Sequence, residues 1–403
     1  MSMKYRRFGR TELQMPVFSC GGMRYQQAWG DLEADKIEKA QQENLEATIH
    51  RAFELGINHI ETARGYGSSE MQLGWVLPPM PREKLIVQTK VGPTENPREF
   101  EEKFEQSMKY LQLEYVDLLS FHGVNNDELL DWTLLRGGCM EVARRLQREG
   151  RVRFIGYSTH GTERVITKAN NTGEFDYVNA HWYFVNPLNW PSVEAAAKND
   201  MGVFIISPTD KGGRLQDPPQ KLRELCAPLS PMQFNDLYCL SKPEVHTLSI
   251  GAARPSDFDE HVEALSHYDD INSVVAPIEA RLNEELDRVL EPRLGEQWRT
   301  RWSEGLPEHL DIVDDMNIAE ALRLYTFAEA FDLHEWARGR YNLMGKNDHY
   351  FPGNKIVNEE FLNGEDRVLE AAVARSPFAA KIPQALRDTH AMLDGEAKRL
   401  SAS

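Results

Sequence analysis

The run YVDLLSFHG, Tyr115–Gly123, is apolar almost without interruption and ends on a histidine and a glycine. A half-exposed strand would alternate polar with apolar residues, so this one asks for burial on both faces, as in a parallel sheet. Seven other runs share its texture: PVFSCGG from Pro16, NHIET from Asn58, LIVQTK from Leu85, VRFIGYST from Val152, YVNAHW from Tyr177, GVFIISP from Gly202 and TLSIGA from Thr247. Amphipathic stretches separate them. In NLEATIHRAFELG, Leu45, Ile49, Ala52 and Phe53 fall on one helical face and Gly56 offers a C-cap. Phe100, Phe104, Met108 and Leu111 repeat the spacing in PREFEEKFEQSMKYLQL. Eight strand–helix units within about 260 residues is the arithmetic of a (β/α)8 TIM barrel. An open doubly wound sheet is the alternative, but no G-x-G-x-x-G follows the first strand to cradle a phosphate. The expectation is an α/β fold, with the barrel over residues 1–275.

Beyond Val275 the strand runs stop. IEARLNEELDRVLEPRLGEQ, NIAEALRLYTFAEAFDLHEWARGRYNLMG, DRVLEAAVARS and PQALRDTHAMLDGEAKRL all carry helical periodicity. A C-terminal all-α extension over 276–403 is therefore expected, joined near SVVAPIEA. The 403 residues are 41% apolar and carry 63 Asp and Glu against 46 Lys and Arg, for a formal charge of −17. A chain so acidic is repelled by nucleic-acid backbones and anionic membranes, and no basic run relieves it. No stretch of 18 apolar residues marks a membrane span and no secretory leader is visible, so a cytoplasmic location is expected. Cys20, Cys139, Cys226 and Cys239 lack C-x-x-C spacing and suggest neither a zinc ribbon nor a disulfide framework.

In a barrel the chemistry sits where strands end and βα loops begin. That criterion selects Glu61 and Tyr66 in NHIETARGYGSSE, Lys90 closing the third strand, and His122 closing the fourth. A buried Lys needs a carboxylate partner or a lowered pKa, and Glu61 is one strand away. A phenol beside an ammonium becomes a usable proton donor near neutral pH, and a histidine opposite could orient a carbonyl oxygen. Each residue alone also fits a duller role: Lys90 a structural ion pair, His122 a core histidine, Tyr66 a rim aromatic.

The same stretches resemble the aldo-keto reductases in unbroken order from about residue 3 to 265. GINHIETARGYGSSEMQLG is similar to the segment bearing that family's catalytic carboxylate and tyrosine, LIVQTKVG to its lysine strand, and YLQLEYVDLLSFHG to its histidine strand. The resemblance implies Glu61, Tyr66, Lys90 and His122 as catalytic residues, with Glu61 standing where Asp is usual. It also implies a nicotinamide cofactor, NADP with NAD as the alternative, and a small-molecule carbonyl or alcohol as substrate. The implied cofactor contacts are Gly22, Met23, Arg24, Ser158, Thr159, Asn179, Ser207, Lys211, Gly251, Ala252, Arg254, Asp257, Glu260 and His261. Departures accompany it. Ile206 replaces the tyrosine that stacks on nicotinamide, Asn179 replaces a Gln, and Asp257 stands where Arg or Gln is common, with Arg254 nearby as a cation. The tail resembles a ferredoxin-like helical domain, but Trp298, Arg301, Glu304 and Glu308 occupy the four cysteine positions of its cluster motif. No iron–sulfur cluster is expected; Trp298 and Trp302 either partly fill the space or are ordinary helix-core residues.

Two other classes compete with a carbonyl–alcohol oxidoreductase. Glu61, His122, His160, His181 and Asp210 form an oxygen–nitrogen set that a metal-dependent hydrolase or isomerase would use, although Lys90 would intrude on the ion. A non-catalytic cofactor-binding regulator would account for the altered stacking and adenosine positions.

Overall fold

The computed structural model describes residues 2–25, 27–346, 349, 351–365 and 367–396. All eight apolar runs form strands: β1 (Phe18–Gly21), β2 (His59–Glu61), β3 (Ile86–Val91), β4 (Val116–Phe121), β5 (Val152–Ser158), β6 (Tyr177–Ala180), β7 (Gly202–Ile205) and β8 (Thr247–Ile250). They pair in sequence order, all parallel, and β8 closes onto β1. The two amphipathic stretches are the helices Lys39–Glu54 and Pro97–Leu111. The second starts as its sequence dictates, with Asn96 accepting from the Arg98 amide and Pro97 in the first turn.

A feature absent from the sequence reading lies ahead of β1. Tyr5–Arg7 and Gln14–Pro16 form an antiparallel hairpin, and Phe8 and Met15 enter a buried cluster with Ile86, Leu118, Tyr177 and Phe204. A Cβ on Gly202 would sit 2.6 Å from the Phe8 ring, so glycine there is what lets the ring seat.

Above this apolar floor runs a belt of polar side chains. Thr247 bonds Ser19 at 2.7 Å, Ser19 bonds His59 Nδ1 at 2.6 Å, and His59 Nε2 meets Gln88 at 3.1 Å. Gln88 Nε2 donates to Ser120 at 2.8 Å, which meets the Tyr177 hydroxyl at 2.9 Å. Burial pulls the His59 pKa down to about 3, so the ring is neutral. Two residues further along the same strands, on the same faces, come Gly21, Glu61, Lys90, Asn179 and Ser249. The belt is thus the layer directly under the strand ends.

This architecture belongs to a compact unit comprising Met1–Tyr183, Asn189–Pro208 and Asp236–Asp269. A second unit comprises Phe184–Leu188, Thr209–Asn235 and Asp270–Ser403. Its longest helix, Ile271–Leu294, buries Ile278, Leu282, Leu286 and Leu290 at helical spacing. Helices Ile318–Phe331 and His334–Tyr341 are parted by Asp332, whose left-handed φ of 60° ends the first of them. Trp298 and Trp302 are buried, and the Trp298 indole donates to Thr326 at 3.0 Å beside the Phe378 ring. Among the described residues of DRVLEAAVARS, Val368–Ala372 are helical, and the last described helix runs Ile382–Leu393. Residues 397–400 of the expected terminal helix lie outside the described residues.

Candidate active site

Lys90 and Glu61 face into the barrel from adjacent strands, and both are buried. The Lys90 Nζ donates to the Glu61 carboxylate, to the Thr62 carbonyl at 2.9 Å and to the Tyr66 hydroxyl at 3.3 Å. Glu61, one methylene longer than the carboxylate usual at its place, spans the distance. Burial lowers the Lys90 pKa, and Glu61 pushes back.

Tyr66 sits in a tight turn, its amide donating to Ala63 at 3.0 Å and its carbonyl accepting from Ser69 at 3.0 Å. Gly67 follows with a φ of +52°, and a Cβ there would lie 1.8 Å from the Ala28 carbonyl, so only glycine is accommodated. The His122 ring stands edge-on to Tyr66, with centroids 5.6 Å apart and planes at 85°. The four residues named from the sequence therefore cluster. A neighbouring network was not anticipated: Arg64 bonds Glu70 at 2.8 Å, and Glu70 accepts from Thr89 at 2.5 Å. The GSSE turn, placing an acid four residues after Tyr66, was the only sequence signal for it.

The expected cofactor contacts divide. Asn179 is wholly buried, and neither its amide nitrogen nor its oxygen has a hydrogen-bond partner. Such an orphan costs about 1–3 kcal/mol for each unmade bond, a cost that the amide of a nicotinamide would offset. Gly22 is bare for a reason of space, since a Cβ would lie 2.7 Å from the Glu61 carbonyl. Met23 and Arg24 continue from it in a half-buried turn, the Arg24 side chain lying beside Gly251. Gly251 is exposed at the end of β8, and Ala252 is buried behind it. Arg254 donates from Nε to Asp257 at 2.9 Å, while the other Asp257 oxygen accepts from the Ala253 and Arg254 amides. Glu260 is half-buried one turn further on, and Ser207 holds a left-handed φ of 54° after β7.

Other candidates point elsewhere. Ser158 accepts from the Gly123 amide at 3.2 Å, and the buried Thr159 hydroxyl donates to the Val124 carbonyl at 2.8 Å. His261 is buried against Asp236 at 2.5 Å, and the carboxylate's attraction outweighs desolvation to raise the imidazole pKa. Lys211 belongs to the second unit, buried near Asp210, Arg340 and the Phe351 ring, and burial takes its pKa well below the usual lysine value.

Among the described residues no group of three or more His, Cys, Asp or Glu side chains is placed to hold a metal ion. His160 and His181 of the suggested set instead bond one another at 2.6 Å. The four cysteines are free and buried, and none lies in the segment from Trp298 to Glu308.

The aldo/keto reductase family model matches residues 18–270. The chain belongs to that family. An L-galactose dehydrogenase of Arabidopsis thaliana is 23% identical over 333 residues, 73% of this chain and 97% of the relative. An L-glyceraldehyde 3-phosphate reductase of Escherichia coli is 24% identical over 321 residues, 66% of this chain and 88% of its own length. Among solved structures, the holo form of an aldo-keto reductase from Bacillus halodurans superposes with a TM-score of 0.56 at 20% identity, covering 68% of this chain and 96% of that one. As an aldo-keto reductase the chain is an oxidoreductase that interconverts a carbonyl and an alcohol with a nicotinamide cofactor. The hydrolase and regulator readings are not favoured. No described helix is long and apolar enough to cross a membrane.

Proposed function

We propose that Tyr66 is the general acid and base of this aldo-keto reductase, with Lys90 and Glu61 tuning it and His122 orienting the substrate oxygen. The observation that supports this most is the 3.3 Å contact from the Lys90 Nζ to the Tyr66 hydroxyl. The bound dihydronicotinamide supplies the hydride. In reduction Tyr66 gives its hydroxyl proton to the carbonyl oxygen, and the ammonium of Lys90 stabilises the phenolate left behind. Burial lowers the Lys90 pKa and Glu61 opposes that, so the carboxylate favours the charged form of the lysine. In oxidation the phenolate takes the alcohol proton back.

Asn179 would hold the nicotinamide amide, fixing which ring face is presented, and the bare backbone at Gly22 would let the cofactor approach β1. Met23, Arg24 and Ser207 would lie around these two, and further contacts along the Gly251–His261 segment, with His261 acting from behind through Asp236. The Arg254–Asp257 pair supports NADH over NADPH. Its arginine is already matched by a carboxylate that would repel a 2′-phosphate and could accept from a 2′-hydroxyl. The names of the two relatives support a small aldehyde or alcohol oxygenated beside the reacting carbon. Titrating the protein with NADH and NADPH, then measuring turnover of small aldehydes by wild type and Tyr66→Phe, tests the reading. Wild-type turnover in Tyr66→Phe would overturn the role given to Tyr66, and tighter binding of NADPH would overturn the nucleotide preference.

A further inference from the structure

Tyr66 lies on no strand. Glu61 ends β2 and Tyr66 comes five residues later, yet its hydroxyl has to stay within reach of the Lys90 ammonium. Two tethers to β3, one on each side of Tyr66, hold the segment. Ahead of it, the Thr62 amide donates to the Gln88 carbonyl at 2.8 Å and the Arg64 amide to the Lys90 carbonyl at 2.9 Å. Behind it, Glu70 lies in the first turn of the short helix Ser69–Leu73 and accepts from the Thr89 hydroxyl at 2.5 Å. Thr89 immediately precedes Lys90 and points to the opposite face of the strand. The Arg64 guanidinium then donates to the other Glu70 oxygen at 2.8 Å. Residues 64 to 70 thus form a closed clamp with Tyr66 inside it, pinned at both ends beside Lys90.

The two halves of this network differ in worth. Glu70 is wholly buried. Burial raises its pKa, and the Thr89 hydroxyl and the Arg64 cation oppose that. A buried carboxylate that lost its cation would keep a large desolvation cost, so the Arg64–Glu70 pair is the half that holds the segment. Arg64 also reaches Asp31 in the loop after β1, over the ring of Tyr110, whose centre lies 5.0 Å from the guanidinium carbon. The Asp31 side chain is 48% exposed, and an ion pair that water reaches contributes little. Glu70 is the anchor and Asp31 an accessory. Neither Arg64 nor Glu70 takes a step in the scheme above.

We propose that Arg64 and Glu70 are positioning residues for the reaction: their ion pair, tied to Thr89, sets the distance at which the Tyr66 phenol stands from the Lys90 ammonium. This rests on the reading of Tyr66 and Lys90 as the reducing pair. An ammonium held close favours the phenolate, and the effect weakens as the two groups move apart. A loosened clamp therefore returns the phenol toward its ordinary pKa of about 10. Reduction needs the protonated phenol, so its rate falls as pH rises through that pKa, and slackening the clamp moves the fall to higher pH. Lys90 on β3, Glu61 on β2 and His122 after β4 are the titratable groups packed around the phenol and its lysine, and the clamp variants leave all three in place. A residue that only stabilised the fold would change the amount of active enzyme and leave the fall where it was.

The test follows kcat/KM for glyceraldehyde reduction across neutral and alkaline pH, with saturating NADH or NADPH. Glu70→Gln keeps the shape and removes the charge. Its kcat is expected to fall by about tenfold, with KM and cofactor affinity changed by less than about twofold and the alkaline fall moved up by about one pH unit. Arg64→Lys keeps a cation for Glu70 and should recover part of both changes seen in Arg64→Met. Thr89→Val cuts the tether to β3 without altering a charge and should show the same two changes in milder form, so it decides the matter where a charge variant does not fold. Asp31→Asn should leave kcat and the profile as they are. A profile in Glu70→Gln or Thr89→Val that coincides with the wild type would overturn the proposal, whatever the rate. Tyr66→Phe keeps the two readings apart. If that variant retained turnover, the reading of Tyr66 would fall and the clamp with it. If it were inactive while the alkaline fall stayed in place in the clamp variants, Arg64 and Glu70 alone would lose their role.

Discussion

Two adjacent layers of the same barrel differ sharply in how their polar groups are satisfied. The belt of Thr247, Ser19, His59, Gln88, Ser120 and Tyr177 is neutral and bonded end to end. One residue pair above it, on the same strands, are a buried ammonium, a buried carboxylate and a carboxamide with no partner at all. Both layers are removed from water, so burial alone does not mark the active one. The lower layer spends its hydrogen bonds on itself and fixes the strands, whereas the upper layer keeps charge and bonding capacity for a visitor.

The largest expected contrast comes from Tyr66→Phe. Turnover should fall by a factor of about 10⁴, at the upper end of general acid–base effects, with cofactor affinity held within about twofold. Steady-state kinetics beside a fluorescence titration measures both. Lys90→Met tests the upper layer's charge, since it strands Glu61 as a buried carboxylate and should cost about 3–5 kcal/mol in urea unfolding. Adding Glu61→Gln should restore much of that stability and none of the turnover. Asn179→Leu removes an amide that bonds nothing in the protein. Cofactor binding should weaken by about tenfold while the urea midpoint holds or rises, because an orphaned polar group is lost. In the lower layer Tyr177→Phe should do the reverse, costing about 1 kcal/mol of stability with turnover nearly unchanged.

A last contrast separates the layers by acidity. His59 has its pKa pulled down to about 3 from an ordinary 6.5, so the folded state binds fewer protons than the unfolded chain between those values. Its stabilising contribution is therefore complete above pH 6.5 and drains away as pH falls toward 3. Wild type should lose more stability between pH 7 and pH 4 than His59→Gln does, as read from urea midpoints at the two pH values.

The eight strands were legible because parallel strands buried on both faces leave continuous apolar runs. The hairpin Tyr5–Arg7/Gln14–Pro16 was not, since three-residue strands holding arginines carry no such run. At the site, Glu61, Tyr66, Lys90 and His122 could be found because each closes a strand or follows one directly. What a side chain bonds to is a different matter. Nothing in GYST tells that the Thr159 hydroxyl turns to Val124, and nothing in DEH tells that His261 turns to Asp236 on a distant helix. Those partners come from tertiary neighbours far along the chain. The grouping of Thr209–Asn235 with the C-terminal helices was hidden for the same reason: it is a fact of packing, and the segment's composition does not mark it.

Phe8, seated against Gly202, makes the barrel a vessel with one mouth. With that end filled, the rim is the expected route to Lys90, and a ligand lodged there should shield the interior. Deuterium uptake at the β2 and β3 amides should slow on cofactor addition even far below the contact, and Phe8→Ala should let exchange proceed from beneath.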